Sequence, residues 1–220
     1  MTPLTRLLLV GPPGVGKGTQ AKRIAESLGV PHISTGDILR DAAKRGTAIG
    51  LQAKSFMDGG GLVPDDVMIG VIEERFAVGD GRAGYILDGF PRTTPQAEVL
   101  EKLLAKLDLP IQAAIHLQCP DEVVIERITG RRSCSNKTCQ ATFHERFLPP
   151  KREGTCDRCG SALEQRTDDV LEAVKRRLEK YHRETAQILP FYETRRLLHV
   201  VDGTGTPEEV FRGVRRVTGI

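Results

Sequence analysis

The chain has 220 residues, 39% of them apolar and 28% charged, with a formal net charge of +3. That length suits one main domain with room for a small insertion, and so slight a charge does not announce a nucleic-acid surface but agrees with a small anionic substrate. Cysteine is present five times, with four copies gathered late in the chain, which argues against a disulfide framework. The early apolar run, Leu7 to Val10, is too short for a secretory segment, and no run approaches the ~18 residues of a membrane span. A reducing cytoplasm and no membrane partner are the expectation.

Strand and helix signals alternate along the chain. RLLLVG (Arg6–Gly11) is a short apolar run closed by glycine, the pattern of a strand buried on both faces of a parallel sheet. From Lys17 to Leu28 the apolar residues Ala21, Ile24, Ala25 and Leu28 recur at helical spacing, and Gly29 follows as a stop. VPHIS (Val30–Ser34) reads as a second strand, and STGD (Ser34–Asp37) has the form of a capping box that opens another helix. YILDGF (Tyr85–Phe90), AAIHLQC (Ala113–Cys119) and LLHVVDG (Leu197–Gly203) read as three more strands with helical patterns between them. The class is therefore α/β with a mostly parallel sheet. Two segments break the rhythm: one from about Thr35 to Pro64, and one from about Gly130 to Asp169 that gains Cys, Pro, Gly and Arg. Both read as insertions. Beyond them, Leu171, Val174, Leu178 and Tyr181 set a stripe along a helix that Pro190 is expected to interrupt.

Chemistry enters at GPPGVGK, which fits G-x-x-x-x-G-K from Gly11 through Gly16 to Lys17, after a strand and opening a helix. Glycines let successive backbone N–H groups turn inward around phosphate oxygens, and the helix start adds its positive end to the same anion. Side chains are sparse because the backbone is the ligand, and Lys17 is the one charge placed there. The general pattern asks for Ser or Thr directly after Lys; here Gly18 intervenes before Thr19. In LDGFPR (Leu87–Arg92), Asp88 closes a strand beside this loop, the place from which an acid holds Mg²⁺ through water.

Cys134, Cys139, Cys156 and Cys159 read C-x4-C-x16-C-x2-C. Four thiolates in two close pairs can form the tetrahedral shell that Zn²⁺ prefers, with no position left open for catalysis. Iron also accepts such a shell, four unmetallated thiols or a disulfide are the bland readings, and His144 between the pairs could stand in for one sulfur. Cys119 ends a strand and reads as a buried structural thiol.

GPPGVGKGTQ (Gly11–Gln20), ISTGDILR (Ile33–Arg40), GLV (Gly61–Val63), LDGFPRTTPQA (Leu87–Ala97), ERITGRR (Glu126–Arg132) and RTDD (Arg166–Asp169) together resemble adenylate kinase, in its bacterial long-lid form, over nearly the whole chain. The G-K-G-T order that departed from the general pattern is that family's own. The resemblance implies a P-loop NTPase-type core with a parallel five-stranded sheet flanked by helices (1–33, 64–129 and 168–220). It also implies a nucleoside-monophosphate-binding insertion (34–63) and a lid (130–167). The reaction it implies is ATP + AMP ⇌ 2 ADP with Mg²⁺, carried out by a monomer.

By matching position, Gly14, Val15, Gly16, Lys17, Gly18 and Thr19 would hold the ATP phosphates. Thr35 and Gln96 would face the AMP base, Arg40 and Arg92 its phosphate, and Gly61, Leu62, Val63, Gly89, Phe90 and Pro91 would complete the AMP site. Arg127, Arg131, Arg166 and Arg177 would surround the transferring group, Arg166 and Arg177 also touching AMP and Arg127 and Arg131 also touching ATP. Thr142 and Phe143 would cover the ATP base from the lid, and Gly205 would reach that base by its carbonyl.

The runner-up enzyme is a kinase for UMP, CMP or GMP, whose members usually have a short lid. A rival of another class, a zinc-ribbon nucleic-acid switch, asks for aromatics interleaved with the basic residues, and this segment has only Phe143 and Phe147. Glycines 59–61 are a plausible hinge.

Overall fold

The computed structural model describes residues 2–58, 62–136, 138–139 and 141–220. In chain order the elements are β1 (Arg6–Val10), α1 (Lys17–Leu28), β2 (His32–Ser34), α2 (Thr35–Lys44), α3 (Ala48–Asp58), α4 (Asp65–Ala77), β3 (Tyr85–Asp88), α5 (Thr94–Lys106), β4 (Ala113–Gln118) and α6 (Asp121–Thr129). There follow β5 (Arg131–Cys134), β6 (Thr142–His144), β7 (Leu163–Glu164), α7 (Leu171–Arg183), α8 (Leu189–Thr194), β8 (Leu198–Asp202) and α9 (Pro207–Thr218). Among the described residues no helix is long and apolar enough to cross a membrane.

Five strands form one parallel sheet in the order β2-β3-β1-β4-β8. The fold is that of a P-loop NTPase core. β1 shows why its sequence is apolar throughout: Leu7 and Leu9 enter the core on one face, Leu8 and Val10 the core on the other. Helices α1, α6, α7 and α9 cover the first face through Ile24, Ile128, Leu178 and Val214. Helices α4 and α5 cover the second through Ile72, Phe76, Leu100 and Leu104. Side chains alternate across a strand, so β1, covered on both sides, is apolar from Leu7 to Val10. All five strands point their carboxyl ends at one edge, and β1 lies where the winding reverses, between β3 and β4. That crevice is where open α/β sheets bind ligands.

β5, β6 and β7 form a separate three-stranded antiparallel sheet with β5 in the middle. Its apolar cluster is small: Cys134, Ala141, Phe143 and Cys156, with Cys139 and Leu163 against them. α2 and α3 pack on each other as a helical pair, with Ala53 buried and Gly50 set so close to the Ala42 carbonyl carbon that a Cβ would lie 2.1 Å from it.

Three local expectations need correction. The long helix breaks at Glu184, before Pro190, and a 3-10 turn (Thr185–Ile188) leads into α8. Pro190 sits in the first turn of α8, a position where its missing N–H costs nothing. Leu171 is 44% exposed, so the buried stripe of α7 is Ala173, Val174, Leu178 and Tyr181. The STGD cap is one-sided: the Ser34 hydroxyl accepts from the Asp37 N–H at 3.3 Å, while the Asp37 carboxylate turns to Arg40 at 2.7 Å.

Candidate active site

The loop between β1 and α1 is built for oxygen anions. Gly16 caps α1 with φ +102°, and Gly14 has φ +74° with its α-carbon so close to α6 that a Cβ would lie 2.2 Å from Ile128 Cγ1. Gly14 has no room for a side chain, and Gly16 has a backbone angle that residues with a side chain rarely adopt. Within the loop, the Val15 N–H donates to the Pro12 carbonyl at 3.4 Å. Among the described residues, the N–H groups of Gly14, Gly16, Lys17, Gly18 and Thr19 donate to no backbone carbonyl, and the first return bond of the helix runs from the Gln20 N–H to the Gly16 carbonyl. A helix start leaves such donors unpaired; here they gather on one groove, lined by Gly14, Gly16, Lys17, Gly18 and Thr19. Val15 is different: its side chain is core, and its backbone alone belongs to the loop.

Lys17 Nζ donates to the Gly11 and Pro12 carbonyls at 2.8 Å each. Burial pushes its pKa from 10.5 to about 8, with Asp88 opposing and Arg92, Arg177 and Arg131 adding to the fall. Asp88 is buried at the end of β3, and a Cβ on Gly18 would lie 3.7 Å from its Oδ2. The acid thus stands beside the start of α1, as its strand position suggested.

A smaller pocket lies beside the groove. It is lined by Thr35, Leu62, Val63, Gly89, Phe90 and Gln96, together with Arg40, Arg92 and Arg177. These three arginines line both spaces. Pro91 borders the groove rather than the pocket, as do Thr142 and Phe143. Gly61 and the glycine run 59–61 lie outside the described residues. Thr35 Oγ1 donates to the Asp88 carbonyl at 3.4 Å, while the cap of α2 is Ser34. Phe143 is 8% exposed and packs within the small cluster of the outer sheet.

The remaining arginines converge on the same groove. Arg127 donates to the carbonyls of Gly203 and Thr204 at 2.6 Å and of Gly205 at 3.0 Å, fixing the loop after β8. Arg131 is held by Asp169 in a two-point pair, Nε to Oδ2 at 2.8 Å and Nη2 to Oδ1 at 2.5 Å. Arg177 donates to the Asp168 carbonyl at 2.8 Å and pairs with its carboxylate at 3.0 Å. Arg166 donates from Nε to the Ser133 hydroxyl at 3.1 Å. Burial, with neighbouring arginines second, pulls Arg92 and Arg166 down to about 10. Burial also lowers Arg177, while for Arg131 it is outweighed by Asp169, which raises that guanidinium. Cations that depress one another are short of anions, and planar forks suit phosphate.

Sequence reasoning left Asp168 and Asp169 without a role. Asp169 is fully buried and sets two of the arginines. The signal was available in RTDD: two acids beside an arginine, in a stretch whose other acids are solvated. Ser133 carried no such signal.

In the outer sheet, the Sγ atoms of Cys134, Cys139, Cys156 and Cys159 lie within 4.8 Å of one another. Cys134 and Cys159 are 3.4 Å apart, and Cys139 and Cys156 3.7 Å. A tetrahedral S₄ shell with metal–sulfur bonds of about 2.3 Å places its sulfurs about 3.8 Å apart, so the four fit a metal ion. None of the five cysteines is paired in a disulfide. His144 is engaged elsewhere: Nδ1 accepts from the Arg146 and Phe147 N–H groups at 3.0 and 3.1 Å, which leaves Nε2–H to donate to the Glu126 carbonyl at 3.2 Å.

Comparison with known proteins agrees with this geometry. A family model described as adenylate kinase matches residues 9–197. The chain is 50% identical over 210 residues to an adenylate kinase of Carboxydothermus hydrogenoformans, covering 96% of this chain and 97% of that one. It is 50% identical over 213 residues to an adenylate kinase of Geobacillus sp. (97% and 98%) and 47% identical over 211 residues to one of Methanosarcina mazei (96% and 97%). A match of this length and depth, over a P-loop fold with its glycine loop and arginine-lined cleft, leads to one statement: the chain belongs to the adenylate kinase family of nucleoside-monophosphate phosphotransferases.

Proposed function

We propose that the cleft transfers the terminal phosphoryl group of ATP to AMP, giving two ADP. The observation that carries this reading is that two spaces, one under the glycine loop and one beside Gln96, meet at Arg40, Arg92 and Arg177. ATP occupies the first, its phosphates on the unpaired amides of Gly14 and of Gly16 to Thr19 and on Lys17, its base between Thr142, Phe143 and Gly205. AMP occupies the second, its base against Thr35, Leu62, Val63 and Gln96, its phosphate on Arg40 and Arg92. An oxygen of the AMP phosphate attacks the terminal phosphorus, and the bond to the bridging oxygen of ADP breaks.

Transfer of this kind asks the protein to align two oxygens and to balance charge spread over the equatorial ones. Arg127, Arg131, Arg166 and Arg177 do that, oriented by Asp168 and Asp169. Asp88 would hold Mg²⁺ through water, and that ion supplies charge neutralisation on the donor phosphates. Water is the competing acceptor, so the donor must be enclosed first. Residues 34–63 and 130–167 are the moving parts of this reading, closing over the core formed by 1–33, 64–129 and 168–220. Every group named lies in one chain, which suits a monomer.

The four cysteines would hold Zn²⁺ as a structural ion. The outer sheet has only a handful of buried side chains, and closed zinc sites supply folding energy to modules of this size. Elemental analysis of the native protein should give one zinc per chain; iron in its place, or well under one equivalent of any metal, refutes the assignment. For the reaction, the protein is mixed with ATP-Mg²⁺ and, separately, AMP, UMP, CMP or GMP, and diphosphate is followed by ³¹P NMR. AMP should be turned over fastest; faster turnover of another monophosphate, or none of AMP, overturns the reading.

A further inference from the structure

Gln96 is 2% exposed in the first turn of α5, and it lines the pocket beside the three arginines. Both ends of its amide are already engaged. Oε1 accepts from the backbone N–H of Arg92 at 2.7 Å, and Nε2 donates to Asp65 Oδ1 at 2.6 Å. The partners leave no choice of orientation: a backbone N–H can only donate, and an ionised carboxylate can only accept. Rotating the amide by half a turn would set N–H against N–H and oxygen against oxygen. Asp65 stands at the first position of α4, and among the described residues no cation pairs with it; the bond to Gln96 is its one described side-chain contact.

We propose that Asp65 is a specificity-determining residue acting through Gln96: it locks the amide so that the pocket is offered one acceptor and one donor in fixed order, which selects a 6-amino purine over a 6-oxo purine. This rests on the reading that the AMP base meets Gln96. An amide has two lone pairs on oxygen and two hydrogens on nitrogen. Arg92 and Asp65 take one of each. The remaining lone pair and the remaining N–H lie side by side on the edge turned to the base. Adenine meets such an edge with the exocyclic N–H as donor and a ring nitrogen as acceptor. In hypoxanthine or guanine the C6 substituent is an acceptor and N1 carries a hydrogen, so both contacts are reversed. Accepting that base demands a rotated amide, which the Arg92 N–H and the Asp65 carboxylate both oppose. A site that leaves its own polar groups mismatched rejects the wrong ligand far more strongly than an apolar one does.

Asp65→Asn keeps shape and volume but can present either oxygen or N–H₂ to Gln96, so one of the two opposing partners is removed. Steady-state kinetics with AMP and with IMP, at saturating ATP-Mg²⁺, read the effect. With AMP, kcat should stay within about twofold and KM should rise about fivefold, because the interaction lost is made equally in ground and transition states. The ratio of kcat/KM for AMP over IMP should fall about tenfold, the worth of one charge-assisted hydrogen bond. Asp65→Ala should lower the ratio as well and serves if Asp65→Asn folds poorly. Asp66→Asn removes a neighbouring charge from the same helix turn and should leave the ratio as in the wild type.

An unchanged AMP-to-IMP ratio in the Asp65 variants overturns the proposal, whatever happens to KM, and so does an equal change in Asp66→Asn. Gln96→Ala separates the two layers. If it leaves KM for AMP unchanged, the placement of the base fails. If it raises KM while the Asp65 variants keep the wild-type ratio, the lock alone fails.

Discussion

Replacing the loop lysine should make the empty protein more stable and nearly inactive. Lys17 has a folded pKa of about 8 against 10.5, and a gap of that size corresponds to roughly 3.4 kcal/mol of penalty on its charged form. Part of the side chain still faces the open cleft, and solvent screening brings the penalty to about 2 kcal/mol. Lys17→Met removes it. The variant also loses two bonds to the Gly11 and Pro12 carbonyls; these can turn to cleft water, so the loss is about 1 kcal/mol. The net expectation at pH 7 is a gain of about 1 kcal/mol, or roughly 3 °C in Tm for a chain of this length. The sign depends on pH. The folded state binds this proton more weakly than the unfolded state does, so the penalty is complete below pH 8 and gone above 10.5. Urea melts of both proteins without nucleotide, from pH 6.5 to 10.5, should show the advantage of Lys17→Met shrinking and then reversing. Turnover should fall by at least about 10²-fold, the usual cost of one donor to a developing charge. A stability difference that is constant with pH, or a variant with near-wild-type transfer, refutes the assignment of Lys17 as a buried cation kept for phosphate.

Gly14→Ala should cost about 2–4 kcal/mol and disable ATP binding together, because its Cβ would meet Ile128 at 2.2 Å and φ is +74°; denaturant melts with ATP titration check this, and a stable variant with normal affinity contradicts it. Asp169→Asn should lower kcat/KM in steady-state kinetics about 10-fold or more, since it frees Arg131 and weakens the hold on Arg177; unchanged kinetics contradict that positioning role. Stripping the four-cysteine site with a chelator should drop Tm and abolish transfer, and restored Zn²⁺ should recover both, because the outer sheet has little other core. Unchanged Tm after verified metal loss contradicts that role.

How much of this was written in the chain differs by element. The central strand β1 was legible because burial on both faces demands an unbroken apolar run, and Leu7 to Val10 are such a run. The glycine loop was legible because its chemistry is backbone, and the positive φ angles at Gly14 and Gly16 favour glycine. The break in the α7 region was misplaced because proline is a loud signal; the chain turns at Glu184 through a 3-10 segment with no marker of its own, and proline merely opens the helix that follows. Leu171 was misjudged because apolar spacing tells which face a residue shares, and the helix's first turn projects past the core that the face covers. The antiparallel strands β5 to β7 were not foreseen at all, since a sheet held around four sulfurs has no need of apolar alternation.

The polar residues that orient the site were the hardest to foresee, and for a common reason. Asp65, Asp168, Asp169 and Ser133 act on other side chains rather than on nucleotide, so their spacing in sequence follows no ligand. They become visible only when folding brings an acid to a buried arginine or amide that has one geometry in which to be satisfied. The electrostatics explain why they are needed. Arg92, Arg131, Arg166 and Arg177 crowd one groove and depress or oppose one another's charge. Without carboxylates behind them, mutual repulsion would spread these forks into solvent before any nucleotide arrived. Asp168 and Asp169 hold Arg131 and Arg177 in place from the protein side. The charge that remains unbalanced on the open side suits the phosphates of two nucleotides, whose arrival, rather than the folding of the protein, would neutralise the groove.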